Sequence, residues 1–363
     1  MTVRFYPRRC DSTRLRLRDQ FLLDPGVVYL THGTYGACPR PVLDEYQRWQ
    51  RELERRPIEV LARRWDELLG EARAVLAAYL GARGDDLVFV ANATTALNTV
   101  ARSLELDPGD EVLTTAEEYG AVDLTWEAAG ARVVQAPLES LWEHIGKRTR
   151  VLSISHIASP TGAIRPVAEL CAQAREAGLI SVVDGAHAPG HVPVDLEAIG
   201  ADAYAGNCHK WLCAPKGAGF LWVRPGLQER IDPLVVSWGW PEAEFAKRHS
   251  WQGTRDPAAW LAVPAAIEFQ REWGWDDVRT RCHALAERFV TESGLPAAAS
   301  EFAQMVAVEL PPCDPVEVQR RLLDEHRIEV PCFEHAGRPL LRLSVQGYND
   351  DADVDRLLEA LPL

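Results

Sequence analysis

Short apolar runs of strand length alternate with helical patterns from residue 40 to about residue 183. The strand-like runs cover residues 87–91, 111–114, 132–135, 150–155 and 179–183, and a further run covers 219–223. The helical patterns cover residues 41–53, 65–80, 95–104 and 167–178. Because parallel strands need long crossover connections, usually helices, this alternation predicts an α/β fold with a mainly parallel sheet covered on both faces.

The pattern changes after Gly253. Helical patterns cover residues 259–273, 277–293, 315–326 and 351–361, and alternating strand-like runs cover 304–310, 327–330 and 340–345. This mixture predicts a smaller α+β C-terminal domain. We therefore divide the chain into an N-terminal segment that packs near the small domain (1–24), a large domain (25–252) and a small domain (253–363).

The composition of the chain limits the binding partners and the cellular compartment that we expect for it. The 363 residues carry a formal net charge of −14 and contain no basic tract of five or more residues, which argues against nucleic acid or an anionic membrane as a partner. The N-terminus lacks an apolar signal core, and no apolar run approaches the roughly 18 to 20 residues of a membrane span. None of the eight cysteines forms a CxxC pair or a zinc spacing, so we expect a cytoplasmic protein without a metal site.

Two polar segments follow predicted strands of the large domain. Asn92-Ala-Thr-Thr-Ala-Leu-Asn98 opens a helix with small hydroxyl residues, which suits a phosphate group, although a simple helix cap explains it too. Asp184, in Asp184-Gly-Ala-His187, ends an apolar strand, where a carboxylate is costly to bury unless it meets a cation. The alternative for Asp184 is a local turn or helix cap.

Two cationic residues complete the pattern. The chain has only four lysines, Lys147, Lys210, Lys216 and Lys247. Lys210 stands between small and aromatic residues, where desolvation lowers the pKa of an amine and permits imine formation with an aldehyde. Arg342 lies in an alternating strand of the small domain and suits a substrate carboxylate. For both, a structural ion pair is the alternative.

Together these groups match the needs of one cofactor. A phosphate site, a carboxylate for a pyridine nitrogen and an imine-forming lysine are what pyridoxal 5′-phosphate requires of a protein. A hydrolase that uses Cys208 and His209 is a weaker interpretation, because adjacent residues cannot easily form a nucleophile–base hydrogen bond.

The same segments carry a family resemblance. Asp184-Gly-Ala-His-Ala-Pro, Tyr204-Ala-Gly-Asn-Cys-His-Lys-Trp-Leu-Cys-Ala-Pro-Lys-Gly and Gln252-Gly-Thr-Arg-Asp256 resemble the isopenicillin N epimerase-like branch of the class V aminotransferase and cysteine desulfurase superfamily. The resemblance runs from Val28 to Asn349. It implies a pyridoxal-phosphate-dependent fold type I enzyme with a seven-stranded type of sheet, acting as a homodimer with its active sites at the subunit interface.

The resemblance also implies residue roles. Lys210 would form the imine with the cofactor and move the Cα proton, Asp184 would pair with the pyridine nitrogen, and His187 would lie near the ring and its O3′. Arg342 would bind the substrate carboxylate. The other cofactor contacts would be Tyr119 stacked on the ring, Ser159 near O3′, Ala93, Thr94, Asn207 and His209 at the phosphate, and Thr254 at the phosphate of the other subunit.

The reaction stays open between several activities at Cα of an amino acid or an amino-acid-containing small molecule. Epimerisation is our leading hypothesis, with β-elimination such as C–S cleavage and transamination as alternatives. A cysteine desulfurase is less favoured, because we interpret Cys332, ten residues before Arg342 at the end of a predicted strand, as a pocket or packing residue. The aromatic cluster of Trp238, Trp240, Phe245 and Trp251 fits a pocket wall or a dimer interface.

Overall fold

The computed structural model describes residues 16–361. The predictions that concern residues 1–15, including Cys10 and the N-terminal segment before Arg16, lie outside the described residues. The strands are β1 (Val28–Tyr29), β2 (Leu87–Val90), β3 (Glu111–Thr114), β4 (Arg132–Gln135), β5 (Thr149–Ser155), β6 (Ile180–Gly185), β7 (Ala203–Asn207), β8 (Gly219–Val223), β9 (Met305–Glu309), β10 (Ile328–Glu329), β11 (Cys332–His335) and β12 (Arg338–Ser344).

Seven of these strands form the central sheet, in the order β2-β8-β7-β6-β5-β3-β4. Every pairing among β3, β4, β5, β6 and β7 is parallel, and β8 runs antiparallel to both of its neighbours, β7 and β2. Strands β2, β3, β7 and β8 are buried along their whole length, as expected for a sheet covered on both faces. The predicted α/β class and the mainly parallel seven-stranded sheet are confirmed.

The helices cover the sheet and build the C-terminal part. They are α1 (His32–Tyr35), α2 (Arg40–Arg55), α3 (Trp65–Tyr79), α4 (Ala93–Ser103), α5 (Gly120–Ala128), α6 (Val167–Glu176), α7 (Leu196–Ile199), α8 (Phe245–Ser250), α9 (Ala258–Leu261), α10 (Val263–Glu272), α11 (Trp275–Ser293), α12 (Pro315–His326) and α13 (Asp351–Ala360). The single helix predicted over 259–273 is wrong. It is divided at Ala262, because Pro264 has no backbone N–H for the preceding turn and starts a new helix instead.

Two elements near the site did not emerge from the sequence pattern. Strand β7, with the composition Ala-Tyr-Ala-Gly-Asn, has little β-propensity of its own and forms because β6 and β8 pair with it on either side. Strand β11 begins at Cys332, which the prediction placed at the end of a strand. Strand β11 starts there because its antiparallel pairing with β12 begins at Cys332, which lies opposite Leu341.

The C-terminal part contains a separate three-stranded antiparallel sheet, in the order β11-β12-β9, with α11, α12 and α13 beside it. The N-terminal residues reach this part of the molecule. Strand β1 pairs with β10, the ring of Phe21 lies 4.9 Å from that of Tyr348, and the guanidinium of Arg18 lies 3.5 Å from the carboxylate of Asp353. The division at residues 24 and 252 stays a prediction.

The sheet places three polar strand ends side by side. Ser155 of β5 is in register with Asp184 of β6, and Gly185 is in register with Gly206 of β7, next to Asn207. Ligands of open parallel sheets bind at this carboxyl edge. No helix within residues 16–361 is long and apolar enough to cross a membrane.

Candidate active site

A cavity of about 490 Å³ opens at the carboxyl edge of the sheet. It brings together ten of the eleven site residues expected from the sequence: Ala93, Thr94, Tyr119, Ser159, Asp184, His187, Asn207, His209, Lys210 and Arg342. The eleventh, Thr254, is exposed and does not line the cavity of its own chain. Its expected contact with a partner subunit stays a prediction.

Lys210 carries a largely desolvated amine. Its Nζ lies 3.1 Å from Nε2 of His187. Burial lowers the pKa of this amine to about 8, with Asp184 opposing the shift and Arg342 adding to it. Lys216, the rival lysine, donates from Nζ to the backbone oxygen of Gly36 at 2.8 Å and does not line the cavity. Of the two, Lys210 is therefore the one placed to act as a nucleophile or base in the cavity.

Asp184 offers a buried acceptor. One carboxylate oxygen accepts a hydrogen bond from the backbone N–H of Ala186 at 2.9 Å. Within residues 16–361 no other donor binds this carboxylate, and Asp184 lines the cavity. Burial raises the pKa of Asp184, while Lys210 lowers it. An oxygen without a protein donor at this place fits a protonated ring nitrogen of a ligand.

The first turn of α4 forms another end of the cavity. Asn92 caps the helix by accepting from the backbone N–H of Thr95 at 2.9 Å. The backbone N–H of Ala93 donates to the side-chain oxygen of Asn207 at 2.9 Å, so it is not free for a phosphate group as expected. Thr94 is exposed in the cavity wall, which leaves its N–H and hydroxyl as the donors of this turn.

His209 borders the same cavity. Its Nδ1 lies 3.1 Å from the backbone oxygen of Ala218, which can only accept, so Nδ1 carries a hydrogen and Nε2 is left for a ligand. Burial lowers the pKa of His209 to about 4, a shift that the hydrogen bond to Ala218 opposes. The amide N–H₂ of Asn207 and this histidine complete a polar wall around Thr94.

Arg342 is buried and already oriented by neutral partners. Its Nη1 donates to the backbone oxygen of Ser159 and, at 3.2 Å, to the Ser159 hydroxyl, while Nη2 donates to the Thr34 hydroxyl at 3.1 Å. Within residues 16–361 the Nε atom has no hydrogen-bond partner, and burial lowers the pKa of the guanidinium to about 10. A buried guanidinium without a carboxylate partner suits an anionic ligand group. Ser159 thus contacts the arginine, a contact that the sequence did not suggest.

Sequence reasoning assigned no ligand contact to several other residues of the cavity wall, although Asn92 and Ala186 lie in segments that it singled out. These residues are Gly33, Thr34, Tyr35, Asn92, Ser155, Ile157, Ala186, Pro331 and Phe333. The segment of α1 follows β1, whose pairing with β10 is too short to leave a periodic signal. The available sequence signal for this part of the cavity wall was the polar run Thr31-His-Gly-Thr34, which directly follows apolar residues.

None of the described cysteines lines the cavity. Cys332 is buried, its backbone N–H donates to the side chain of Gln319 at 2.9 Å, and burial raises the pKa of its thiol to about 12. Its neighbours Pro331 and Phe333 line the cavity instead. Cys332 is therefore a packing residue, and its thiol is not poised as a nucleophile.

The family follows from comparison with known proteins. A family model described as aminotransferase class-V matches residues 28–357. The chain belongs to the class V aminotransferase family. These are pyridoxal-phosphate-dependent enzymes, so the predicted enzyme class and cofactor are confirmed.

Curated class V relatives carry more than one activity in their names. Isopenicillin N epimerases of Amycolatopsis lactamdurans and Streptomyces clavuligerus are 38% and 36% identical, each over 95% of this chain and 96% of the relative. A probable chloroplastic L-cysteine desulfhydrase of Arabidopsis thaliana is 32% identical over 93% of this chain and 83% of its own length. The predicted isopenicillin N epimerase-like branch is confirmed.

Solved structures support the class V fold. An apo cysteine desulfurase from Thermococcus onnurineus superposes with a TM-score of 0.84 at 23% identity, covering 96% of this chain and 97% of the other. A C-DES variant with glycine covalently linked to its pyridoxal phosphate gives a TM-score of 0.81 at 23% identity, covering 94% and 98%. The predicted fold type I architecture is confirmed.

Proposed function

We propose that this class V enzyme epimerises the Cα of an amino acid or of a small molecule that contains one. The observation that carries the proposal is the position of the Lys210 amine, desolvated in one cavity with the Asp184 carboxylate and the Arg342 guanidinium. The isopenicillin N epimerase relatives at 38% and 36% identity support the choice of reaction.

The cavity fits pyridoxal phosphate by its donors and acceptors. The amine of Lys210, whose pKa is lowered to about 8, suits the aldehyde. The free oxygen of Asp184 suits the protonated ring nitrogen, and Thr94, Asn207 and His209 suit the phosphate. When bound, the cofactor supplies an electron-accepting ring that stabilises negative charge at the substrate Cα. Tyr119, half-exposed at the start of α5, lies in the wall where it can cover the ring face.

The remaining roles belong to the chain's own side chains. Arg342 binds the substrate carboxylate, while Ser159 and Thr34 hold the guanidinium plane in place. Lys210 Nζ takes the proton from one face of the substrate Cα, and return of a proton to the opposite face inverts that carbon. Because burial lowers the pKa of this amine to about 8, it can serve as base and then as acid near physiological pH.

We further propose a cytoplasmic homodimer in which Thr254 reaches the partner's phosphate site. An exposed apolar segment supports an interface: Trp238 is 87% exposed, and Leu234, Val235, Val236 and Trp240 are exposed beside it. The seven cysteines in residues 16–361 are all free, which fits a reducing compartment. Sedimentation of the purified protein tests the dimer.

The reaction is tested by incubating the loaded enzyme with a panel of amino acids in heavy water. Exchange of the Cα hydrogen together with loss of optical activity, without a keto acid product, is the expected result. Pyruvate with ammonia would replace the proposal by a lyase, and strict dependence on an added 2-oxo acid would replace it by an aminotransferase. No exchange with any amino acid in the panel would overturn the proposal for that substrate class.

β-Elimination is the second candidate, because the Arabidopsis relative is named a probable L-cysteine desulfhydrase. It needs the same Lys210 base and a substrate with a leaving group at Cβ. A cysteine desulfurase is less well supported, since the thiol of Cys332 is buried outside the cavity lining.

A further inference from the structure

His187 is held at both of its ring nitrogens by adjacent residues of the lysine segment. Its Nε2 lies 3.1 Å from Nζ of Lys210, and its Nδ1 lies 3.2 Å from the indole nitrogen of Trp211. Trp211 is completely buried, and His187 is buried beside it. The side chains of Lys210 and Trp211 thus reach the imidazole from two sides.

The chemistry of the indole decides where the imidazole hydrogen lies. An indole nitrogen carries a hydrogen and has no lone pair to accept with, so Nδ1 of His187 must be the acceptor. A neutral imidazole has one N–H, which leaves the hydrogen on Nε2. The charged imidazolium is disfavoured by burial, and by Lys210, Arg342, His191 and His209 around it, all of which lower the pKa of His187.

The indole itself is fixed by contacts on other elements. Its ring stacks on His191 with centroids 3.8 Å apart and planes 13° from parallel. His191 accepts at Nε2 from the backbone N–H of Gln304 at 2.9 Å and therefore donates from Nδ1 to the backbone oxygen of His187 at 3.0 Å. The backbone oxygen of Trp211 accepts from Gln270 at 2.9 Å. His187, Trp211 and His191 therefore form one hydrogen-bonded and stacked unit.

We propose that Trp211 is a positioning residue that holds His187 as the Nε2–H tautomer, so that His187 donates a hydrogen bond to the Lys210 nitrogen and cannot take a proton from it. The inference rests on the proposed role of Lys210 and deepens the account of the same site. His187 is then a fixed neutral donor, and it is not a second base for the Cα proton.

The donor at Nε2 also affects the charge of Lys210. An ammonium group has no lone pair, whereas the neutral amine accepts the hydrogen of Nε2–H. The tautomer therefore favours the neutral amine, in addition to the burial that lowers the pKa of Lys210. The groups that face this amine are His187, Asp184 and Arg342, and of these Asp184 alone favours the ammonium form.

Ring ¹⁵N NMR of histidine-labelled full-length protein tests the tautomer, in the cofactor-free and the loaded form. The signals of His187 are assigned by their loss in His187→Gln. We expect the hydrogen on Nε2 in the wild type and a gain of the Nδ1–H form in Trp211→Phe. Trp275→Phe is the matched control, since it removes another buried indole N–H, which binds the backbone oxygen of Gly190 at 3.0 Å. This control should keep the wild-type tautomer.

The second readout is the pH midpoint for reaction of the Lys210 amine with added pyridoxal phosphate. Loss of one hydrogen bond to the neutral amine should raise this midpoint by about one pH unit in Trp211→Phe. It should leave the midpoint unchanged in Trp275→Phe. An unchanged tautomer and midpoint in Trp211→Phe would overturn the proposal.

The wild-type ¹⁵N NMR spectrum tests the tautomer of His187 by itself, even if Trp211→Phe does not fold. A hydrogen on Nδ1, or on both nitrogens, overturns the inference and leaves the proposed reaction intact, because the measurement needs no turnover. Conversely, an absence of Cα exchange in heavy water overturns the proposed reaction and says nothing against the tautomer.

Discussion

The amine of Lys210 and the imidazole of His187 meet at 3.1 Å, although the two residues are 23 positions apart in the chain. Strand β7 brings the lysine back beside the carboxyl end of β6, from which the histidine segment leaves. The sheet therefore brings the Lys210 amine, the His187 imidazole and the Asp184 carboxylate together at one edge.

Lys210→Ala should abolish the visible absorption band of bound cofactor and the activity, because no other described lysine lines the cavity. In the cofactor-free wild type, the rate of reaction with pyridoxal phosphate should rise with pH around a midpoint of about 8. Burial lowers the pKa of Lys210 to that value, and the neutral amine is the reactive form. Stopped-flow absorbance measures both. Lys216→Ala is the control and should keep the band.

Asp184→Asn should lower kcat about 100-fold or more while leaving the fold intact, because the amide keeps the acceptor for Ala186 but loses the negative charge. Its thermal midpoint should not fall, since burial makes this carboxylate costly to ionise. Asp202→Asn offers the contrast: this buried carboxylate accepts hydrogen bonds from the backbone N–H and the hydroxyl of Ser181 and from the guanidinium of Arg224. It should lose stability and keep activity. A similar loss of activity in both variants would count against the cofactor role of Asp184.

Arg342→Lys should raise KM about 10- to 100-fold with a smaller change in kcat, because an ammonium cannot reproduce the planar fork of the guanidinium. Steady-state kinetics with the substrate found in the heavy-water screen measures the effect. Arg338→Lys, on the same strand, is the control. Its guanidinium lies 3.4 Å from Glu309 and does not line the cavity. An unchanged KM in Arg342→Lys would remove the carboxylate role.

Glu118 should make the stability of the cofactor-free protein depend on pH. Burial raises the pKa of this carboxyl from about 4.5 to about 7, although Ser155 and Thr115 donate hydrogen bonds to it. The folded state then binds the proton more tightly than the unfolded state. This contribution is complete below about pH 4.5 and is lost as the pH rises to about 7.

Urea unfolding at pH 4 to 8 checks this expectation. The wild type should lose about 3 kcal/mol relative to Glu118→Gln across that window, at about 1.36 kcal/mol per pH unit. Glu127→Gln, a change at an exposed position of α5, should keep the wild-type slope. A parallel pH dependence in the wild type and Glu118→Gln would contradict the prediction.

Cys332→Ala should keep the wild-type rate, because the thiol is buried away from the cavity and its pKa is raised to about 12. We expect a loss of stability of about 1 kcal/mol from truncating a packed side chain. Product analysis with cysteine as the substrate checks the distinction between reactions. If the wild type forms alanine and a persulfide from cysteine and this variant does not, the desulfurase hypothesis is restored.

Much of the site could be predicted from local residues. The β/α alternation indicated the parallel sheet, and the scarcity of lysine together with the environment of Lys210 selected this residue as the proposed nucleophile. Asp184 and Arg342 stood out because a charged residue inside an apolar strand is costly to bury unless it has a partner. These signals lie within a few residues along the chain, where side-chain type and spacing carry the information.

Other features depended on the strand order and on contacts between distant segments. Strand β7 has a weak sequence signal and exists because of its two neighbours in the sheet. The contact of Ser159 with Arg342 joins residues that are 183 positions apart. The backbone N–H of Ala93 donates to the side chain of Asn207, which is 114 positions away.

The sequence by itself determined the fold class, the cofactor family and the proposed reacting groups, because hydrophobic period and residue chemistry are local properties. The tertiary structure alone decided which hydrogen bonds those groups make, including the indole N–H that Trp211 donates to His187. The proton positions of a buried site follow from donors and acceptors that the fold brings together across the chain, and no local pattern specifies them.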